Sequence, residues 1–388
     1  MSVRLVSCSR NRRKAALVTT RIYPSRCPIP LWVTPGGIGS CDHVSMAPRY
    51  PAPLQLGDRI GVTAPSSGVP DELRPRLDFC VQHLRHEGYE VVLGDCLDGD
   101  AVVSAPARER AAELTAMLTD PSIRAVVPPW GGELAVEVLP HLDWSGLRAA
   151  EPTCLVGWSD ISTLLLPLTT LTGTVTLHGQ NLMDTPYRVP APLASWLSVA
   201  SAPPGSTVVQ GASARHRADG FDRWQDDPTF TELTLDTPGR WNLLDPGAGD
   251  VSVSGRLIGG CIETVSILAG TPYGDLRTFA NDHAPEGLLL YVEASGGTAT
   301  HIARDLWRMR LAGWFDNAVA VLVGRSMAPD SPGFVQLDAV RSALGDLAVP
   351  VVVDVDCGHL PPHLALLNGA LAELTVSSDT QELTQMMQ

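Results

Sequence analysis

The feature that most constrains the fold is an alternation of short apolar segments with longer amphipathic ones, which begins near position 59. Segment 59–62 is apolar, and after a Pro/Ser loop Leu73, Leu77, Val81 and Leu84 recur at spacings of four and three. Such spacing is typical of a helix with one buried face, whereas a short apolar run is typical of a buried strand. Strands that alternate with helices predict an α/β fold with parallel sheets, whose ligands bind beyond the carboxyl ends of the strands.

The same pattern divides the chain into four segments. Residues 1–50 are Arg-rich and lack periodicity, and we interpret them as a disordered or over-extended N-terminus, with translation starting at Met46. Residues 51–180 are predicted to form an N-terminal domain with a doubly wound, mostly parallel sheet. Residues 181–250 lose the periodicity, which indicates a linker or an elaborated loop. Residues 251–388 are predicted to form a second, smaller α/β or β-rich C-terminal domain.

Charge restricts the class of partner. The net charge is −14, but the first 50 residues hold eight of the 28 Lys and Arg and one of the 42 Asp and Glu, which leaves −21 on the rest. Binding to nucleic acid depends on neutralising phosphates with Lys and Arg, so we predict no nucleic-acid partner. Lys14 is the only lysine, which excludes Schiff-base chemistry and a P-loop lysine from the body of the chain.

Cysteine usage and hydropathy indicate the compartment. The eight cysteines are scattered, with no CxxC pair and no Cys/His cluster at zinc-ligand spacing, so we predict no metal site. Scattered single cysteines are typical of reduced thiols in a cytoplasmic protein. No run approaches the roughly 18 apolar residues of a membrane helix, and we therefore expect a soluble, cytoplasmic chain without a membrane partner.

The stretch 155–161 holds a candidate nucleophile. An apolar run ends at Gly157, Ser159 follows two positions later, and an apolar helical pattern begins at Ile161. A serine on such a tight strand-to-helix turn projects its hydroxyl from the sheet edge, where the N–H groups of the next turn point at whatever it attacks. The alternative is that Ser159 only caps the helix, since serine is a preferred N-cap residue.

Other predicted strand ends also deliver functional groups. The paired glycines 131–132 follow an apolar strand and would let the backbone approach a ligand closely. In the second domain one apolar strand ends at Glu293, and another is followed by His359. His178 and His363 also lie near strands, so the pattern alone leaves them as alternatives to His359.

These residue types suit acyl-transfer chemistry. A serine nucleophile needs an imidazole to take its proton, and the imidazole needs a carboxylate to fix its tautomer and stabilise its charged form. Ser159, Glu293 and His359 would supply these groups from the two domains, with the active site between them. A two-domain protein that clamps a small ligand in the same cleft without chemistry is the alternative from another class.

Seven sequence blocks occur in one order between residues 54 and 375. They are Leu56-Gly57-Asp58-Arg59-Ile60 with Ala64-Pro65-Ser66-Ser67, Gly131-Gly132 with Leu139-Pro140-His141-Leu142-Asp143-Trp144, Gly157-Trp158-Ser159-Asp160-Ile161, His178-Gly179, Gly255-Arg256-Leu257-Ile258-Gly259-Gly260, Glu293 and Gly358-His359. Together they resemble the LD-carboxypeptidase family of serine peptidases, which includes the muramoyltetrapeptide carboxypeptidases and the microcin C immunity peptidases.

The resemblance implies a role for each matching residue. It implies a Ser-Glu-His triad formed by Ser159, Glu293 and His359. It also implies an oxyanion hole made by the backbone N–H groups of Gly132 and Asp160, a role in which their side chains take no part. The alternative for Asp160 is that its carboxylate only stabilises the helix N-terminus through the macrodipole.

Two departures from the usual family pattern resemble the microcin-immunity branch. The paired glycines lack the Tyr-containing, Gly-rich stretch that follows them in many members, and segment 181–250 is long and rich in Trp. In that branch an aromatic residue of this loop stacks on the substrate's nucleotide base, a role that falls on Trp224, or second on Trp241; a packing anchor for the loop is the alternative. Glu263 would bind a substrate amine or cap its helix, and His178 is a further candidate for substrate binding.

The function implied by the resemblance is amide hydrolysis by a cytoplasmic serine carboxypeptidase without metal or cofactor. The substrate would be the L,D bond before the terminal D-alanine of a murein tetrapeptide, in cell-wall recycling, or the amide of an aminoacyl-nucleotide toxin. Amidase or acyltransferase action on another amide would use the same triad. The partner would be this small peptide or nucleotide, and the resemblance also implies a homodimer.

Overall fold

The structure is a computed structural model that describes residues 47–99 and 102–388. The proposed start at Met46 and nearly all of segment 1–50 therefore lie outside the described residues. The strands are β1 (Arg59–Val62), β2 (Glu90–Leu93), β3 (Ile123–Val126), β4 (Cys154–Gly157), β5 (Thr176–His178), β6 (Thr207–Gly211), β7 (Arg215–His216), β8 (Thr237–Pro238), β9 (Asn242–Leu243), β10 (Val251–Cys261), β11 (Leu288–Glu293), β12 (Ala318–Gly324), β13 (Val351–Val355), β14 (Leu366–Asn368), β15 (Leu371–Val376) and β16 (Gln381–Met386).

Helices separate most of these strands. The α-helices are α1 (Arg74–His86), α2 (Ala107–Thr119), α3 (Trp144–Ala149), α4 (Ser162–Thr172), α5 (Trp196–Ala200), α6 (Ile262–Val265), α7 (Leu276–His283), α8 (Ala299–Leu311) and α9 (Gln336–Leu344). Short 3-10 turns occur at Asp71–Leu73, Ala135–His141, Ser159–Ile161, Leu182–Asp184 and Ser266–Leu268. None of the helices in the described ranges is both long and apolar enough to cross a membrane.

The first sheet has the order β14-β5-β4-β3-β1-β2. Strands β1 to β5 are parallel, and only β14, which pairs with β5, is antiparallel. Consecutive residues of β3 pack on opposite faces of the sheet. Ala125 packs in the hydrophobic core that contains α1, and Val126 packs in the core that contains α2 and α4. Helices therefore cover both faces of the sheet, which confirms the predicted doubly wound, mostly parallel N-terminal domain.

The second sheet has the order β6-β16-β15-β10-β11-β12-β13-β9. Its centre, β10 to β13, is parallel, and the flanking strands are antiparallel, so the sheet is mixed. One face shares a hydrophobic core with α4 of the first sheet, in which Leu165 lies in the same cluster as Ile258 and Leu290. The end of β10 also contacts the start of α4, where the N–H of Cys261 donates to Ser162 Oγ at 3.2 Å.

Two strands pair with strands that are distant from them in the sequence. β14 follows the parallel strands of the second sheet but pairs with β5 of the first, and β6, within segment 181–250, forms an edge of the second sheet. The same segment also supplies β9, at the opposite edge. The predicted linker thus contains sheet edges, and the domain boundaries at 180 and 250 remain a prediction.

Candidate active site

Ser159 lies on a strained turn between β4 and α4. Its φ is 60°, a left-handed conformation that costs energy for any residue with a Cβ atom. The buried neighbours Trp158 and Asp160 hold the turn, while Ser159 itself is half-buried. Its hydroxyl makes no capping hydrogen bond to the helix and instead faces His359. The geometry therefore differs from that of a serine that only caps a helix.

Glu293 and His359 meet Ser159 from the second sheet. Glu293 is the last residue of β11 and is fully buried, and His359 lies in the loop after β13. His359 Nδ1 is 2.9 Å from Glu293 Oε2, and His359 Nε2 is 3.0 Å from Ser159 Oγ. The structure therefore brings together the three residues that the sequence singles out, in the order carboxylate, imidazole, hydroxyl.

The surroundings of His359 set its protonation. Burial alone would lower the pKa of His359, but the charge of Glu293 and its hydrogen bond outweigh burial and raise the pKa above the usual 6.5. The Trp158 ring packs on His359, with ring centroids 4.6 Å apart, and on His363 at 4.4 Å. Burial lowers the pKa of His363 to about 3, so that ring is neutral at physiological pH.

The paired glycines approach the nucleophile closely. A Cβ atom added to Gly131 would lie 2.9 Å from Ser159 Cβ and 3.1 Å from Asp160 N, closer than real side chains allow. Within the described residues, the backbone N–H groups of Gly132 and Asp160 donate to no protein acceptor. Both N–H groups thus lack a protein acceptor, as the predicted oxyanion hole requires.

The carboxylate of Asp160 connects three segments of this site. Its Oδ2 accepts from Ser66 Oγ at 2.5 Å and from the N–H of Ala135 at 2.8 Å, and its Oδ1 accepts from Thr163 Oγ1 at 3.3 Å. The side chain is almost fully buried. It fixes the loop after β1 and the glycine loop against the nucleophile turn, so its role differs from the predicted dipole effect alone.

A cavity of about 490 Å³ opens beside Ser159 and His359. Its wall includes five Trp, Tyr and Phe side chains, and its polar groups include the carboxylate of Asp184. The lining residues include Trp130, Trp158, Asp184, Tyr187, Phe221 and Trp224. A mostly apolar concave site with few polar groups is typical of small-ligand binding.

Only one of the four predicted substrate residues lines this cavity. Trp224 does so, and its Nε1 donates to Tyr187 Oη at 3.0 Å. Trp241 is buried in the core of the second sheet, where its Nε1 donates to Asp356 Oδ2 at 2.8 Å. The structure therefore does not bring Trp241 to the cavity, because its indole N–H holds a buried carboxylate instead.

Glu263 and His178 also lie away from the cavity wall. Glu263 accepts from the N–H groups of residues 295–297 at 2.9 to 3.2 Å, so it holds the loop after β11. Those four bonds use the carboxylate that a substrate amine would need. His178 is buried against Tyr291, and neither ring nitrogen has a partner. Burial lowers the pKa of His178 to about 4, so it is a neutral core residue.

Sequence reasoning missed two residues of the cavity region. Asp184 lies soon after the end of β5, so the rule that ligands bind beyond strand ends could have found it. Arg76 is fully buried on α1 and contacts the loop that carries Trp224. No local signal distinguishes Arg76, because an arginine in an amphipathic helix is usually on the solvent face.

Comparison with known proteins identifies the family. Residues 60–179 match the model of the LD-carboxypeptidase N-terminal domain, and residues 254–374 match that of the LD-carboxypeptidase C-terminal domain. The chain belongs to the LD-carboxypeptidase family. A putative carboxypeptidase of Streptomyces coelicolor is 31% identical over 338 residues, which cover 85% of this chain and 94% of that LD-carboxypeptidase relative. The resemblance predicted from the seven sequence blocks is thereby confirmed.

Other LD-carboxypeptidase relatives differ in their named activity. The microcin C7 self-immunity protein MccF of Escherichia coli is 25% identical over 349 residues, which cover 87% of this chain and 95% of that protein. A solved structure of MccF in complex with glutamyl sulfamoyl guanosine has a TM-score of 0.72 at 22% identity, covering 87% of this chain and 98% of that one. The muramoyltetrapeptide carboxypeptidase of Oxalobacter formigenes has a TM-score of 0.61 at 21% identity, with coverages of 84% and 98%. These structures confirm the two-domain α/β fold.

Proposed function

We propose that this chain is a serine carboxypeptidase in which Ser159, His359 and Glu293 act as nucleophile, base and orienting carboxylate. The observation that carries the proposal is the position of the His359 ring, with one nitrogen 3.0 Å from Ser159 Oγ and the other 2.9 Å from Glu293. A neutral imidazole in this position can take the serine proton, and the buried carboxylate stabilises the imidazolium that results.

The reaction proceeds through an acyl-enzyme. As Ser159 Oγ bonds to the amide carbonyl carbon, its proton moves to His359 Nε2, and the carbonyl oxygen becomes an oxyanion that binds the N–H groups of Gly132 and Asp160. The C–N bond then breaks, and His359 returns the proton to the departing amine. Water attacks the acyl-enzyme by the same route, with His359 as base, and releases the acid and the free serine.

We propose the L,D bond before the terminal D-alanine of a murein tetrapeptide as the first substrate. A specific observation favours a second candidate, the amide of an aminoacyl nucleotide: Trp224 lines the cavity and is available to stack on a flat base. We propose a cytoplasmic location for either activity, which is supported by the five described cysteines, all buried and free.

The direct test is hydrolysis of both substrates by purified wild-type protein and by the Ser159→Ala variant. We expect wild type to cleave one of them and Ser159→Ala to lose at least about 10³-fold in kcat, because the nucleophile is absent. Ser198→Ala, which removes an exposed hydroxyl from α5, is the control and should keep wild-type activity. If Ser159→Ala hydrolyses both substrates as fast as wild type, the mechanism is wrong.

A further inference from the structure

Asp184 is a carboxylate of the cavity that the proposed reaction does not use. It ends the turn Leu182–Asp184 after β5 and lines the same cavity as Ser159 and His359. It is half-buried, and within the described ranges no Arg or His is close enough to form an ion pair with it. The neutral indole of Trp158 also lowers the pKa of Asp184 and so favours its charged form. A carboxylate therefore faces a ligand cavity without a cation in contact.

Several charged or titratable groups surround Asp184, and none neutralises it directly. Arg76 is the largest opposing charge on Asp184, but it is fully buried, its Nε and Nη1 donate to backbone carbonyls at 2.7 to 3.0 Å, and its Nη2 forms no ion pair. Of the loop charges that line the cavity, Asp222 pairs with Arg217 and Arg223 pairs with Asp226. The remaining groups that act on Asp184 or respond to its charge are His359, Tyr187 and Cys80.

The walls around this carboxylate favour a cation. Five aromatic side chains line the cavity, at positions 130, 158, 187, 221 and 224. The faces of aromatic rings attract cations and repel anions, and a desolvated carboxylate gains most from an opposite charge. Burial raises the pKa of Asp184 to about 6, against the opposing charges of Arg76 and His359. The charged form is thus disfavoured in the empty cavity, and a bound cation would reverse this.

We propose that Asp184 and these aromatic walls form a binding site for a primary ammonium group on the acyl part of the substrate. The inference rests on the proposed function, because the residue released by a carboxypeptidase carries a free carboxylate. Asp184 would repel that carboxylate, so the ammonium group belongs to the part that acylates Ser159. Asp184 takes no part in bond making and acts as a specificity residue.

The test uses two peptides that differ only in charge. One is an N-acetylated tetrapeptide that ends in D-alanine preceded by a lysine with a free amine, and the other has that amine acetylated. We expect the kcat/KM of wild type to be about tenfold or more higher for the peptide with the free amine. The reason is that its ammonium group would make a charge-assisted contact with Asp184. Asp184→Asn should abolish the preference by slowing only the amine peptide. Glu133→Gln, which removes an exposed carboxylate outside the cavity, should retain it.

The dependence on pH adds a readout that a structural role would not give. Because Asp184 ionises near pH 6, the wild-type preference for the free amine should grow between pH 5 and pH 7. Asp184→Asn should show no such growth. The proposal is overturned if Asp184→Asn slows both peptides equally, or if wild type does not distinguish them.

Binding to the Ser159→Ala variant separates this proposal from the peptidase proposal. If wild type cleaves neither peptide, calorimetric titration of both into Ser159→Ala still decides the ammonium site. Tighter binding of the free amine, lost in the Ser159→Ala, Asp184→Asn double variant, would support the site although the peptidase assignment had failed. Equal binding of the two peptides, or no binding, would reject the ammonium site.

Discussion

In the proposed mechanism, the protonation of His359 determines when the site can react. Its Nδ1 faces Glu293 and its Nε2 faces Ser159, and only the neutral ring can accept the serine proton. The same carboxylate that stabilises the imidazolium after proton transfer also raises the pKa of the resting ring. Glu293 therefore strengthens the base and, at the same time, restricts it to higher pH.

Glu293→Gln should change the pH profile in a defined direction. Glutamine keeps the size of the side chain but removes the charge that raises the pKa of His359, so the acidic limb of kcat/KM should move to lower pH. The plateau should fall by about 10²- to 10⁴-fold, because the imidazolium and its tautomer lose their support. Kinetics across the pH range check this, with the exposed Glu373→Gln as control. An acidic limb that stays in place or rises would contradict the argument.

At the scale of single residues, the sequence predicts which residues come together. It predicts less well which groups each side chain contacts. Ser159, Glu293 and His359 each follow an apolar strand, and strand ends of parallel sheets are where functional groups gather. The resemblance makes Trp241 only a second candidate for stacking, because it lies in the same Trp-rich segment as Trp224. Its burial depends on Asp356, a partner far along the chain that no local pattern reveals.

At the scale of elements, α1 supports the loop that forms one wall of the cavity. Arg76 donates through Nε to the carbonyl of Met183 at 2.9 Å and through Nη1 to those of Pro228 and Phe230 at 3.0 and 2.7 Å. Its guanidinium also lies 5.6 Å from the centre of the Trp224 ring. One side chain of a helix thus sets the position of an irregular segment that has little periodic structure of its own.

Arg76→Met should disturb binding more than chemistry. Methionine has a similar length but donates no hydrogen bond, so the loop carbonyls lose their donors while the triad residues keep their contacts. We expect KM to rise about tenfold with a smaller change in kcat, and a lower melting temperature. Steady-state kinetics and thermal unfolding measure both, and Arg85→Met, at an exposed position of the same helix, is the control. A loss confined to kcat would show that α1 does not act through the loop.

The period of hydrophobic residues predicts most long elements and fails for the shortest ones. The 13-residue helices α1, α2 and α8 follow their three-to-four spacing, whereas β7, β8 and β9 have only two residues each, too few to show any period. Strand pairing is also non-local, because β6 pairs with β16 and β14 pairs with β5, which are far apart in the chain. Such long-range strand pairing depends on packing between distant segments, so the pattern of a single segment does not predict it.

At the scale of the whole molecule, Asn368 joins the two sheets. It lies on β14 and is fully buried. Its Oδ1 accepts from the N–H of Gly259 at 3.1 Å and from Tyr291 Oη at 2.9 Å, both in the second sheet, and its Nδ2 donates to Thr176 Oγ1, in the first, at 3.4 Å. One amide therefore accepts from two buried donors of the second sheet and donates to a hydroxyl of the first.

Asn368→Ala should destabilise the assembled protein. It leaves the Tyr291 hydroxyl and the Gly259 N–H buried without an acceptor, which costs about 1–3 kcal/mol for each group. We expect a loss of about 3 kcal/mol in the free energy of unfolding by denaturant. Asn281→Ala, at an exposed position of α7, is the control and should change this energy by less than about 0.5 kcal/mol. Equal effects of the two substitutions would argue against Asn368 as a link between the sheets.

The late position of β14 in the chain has a consequence for biosynthesis. This strand completes the edge of the first sheet beside β5, yet it follows His359, so a ribosome must translate past His359 before that edge can close. Until then a nascent chain carries Ser159 without its base. Under the proposed mechanism, a chain that ends before His359 cannot hydrolyse amides, so the activity would appear only after both sheets have been synthesised.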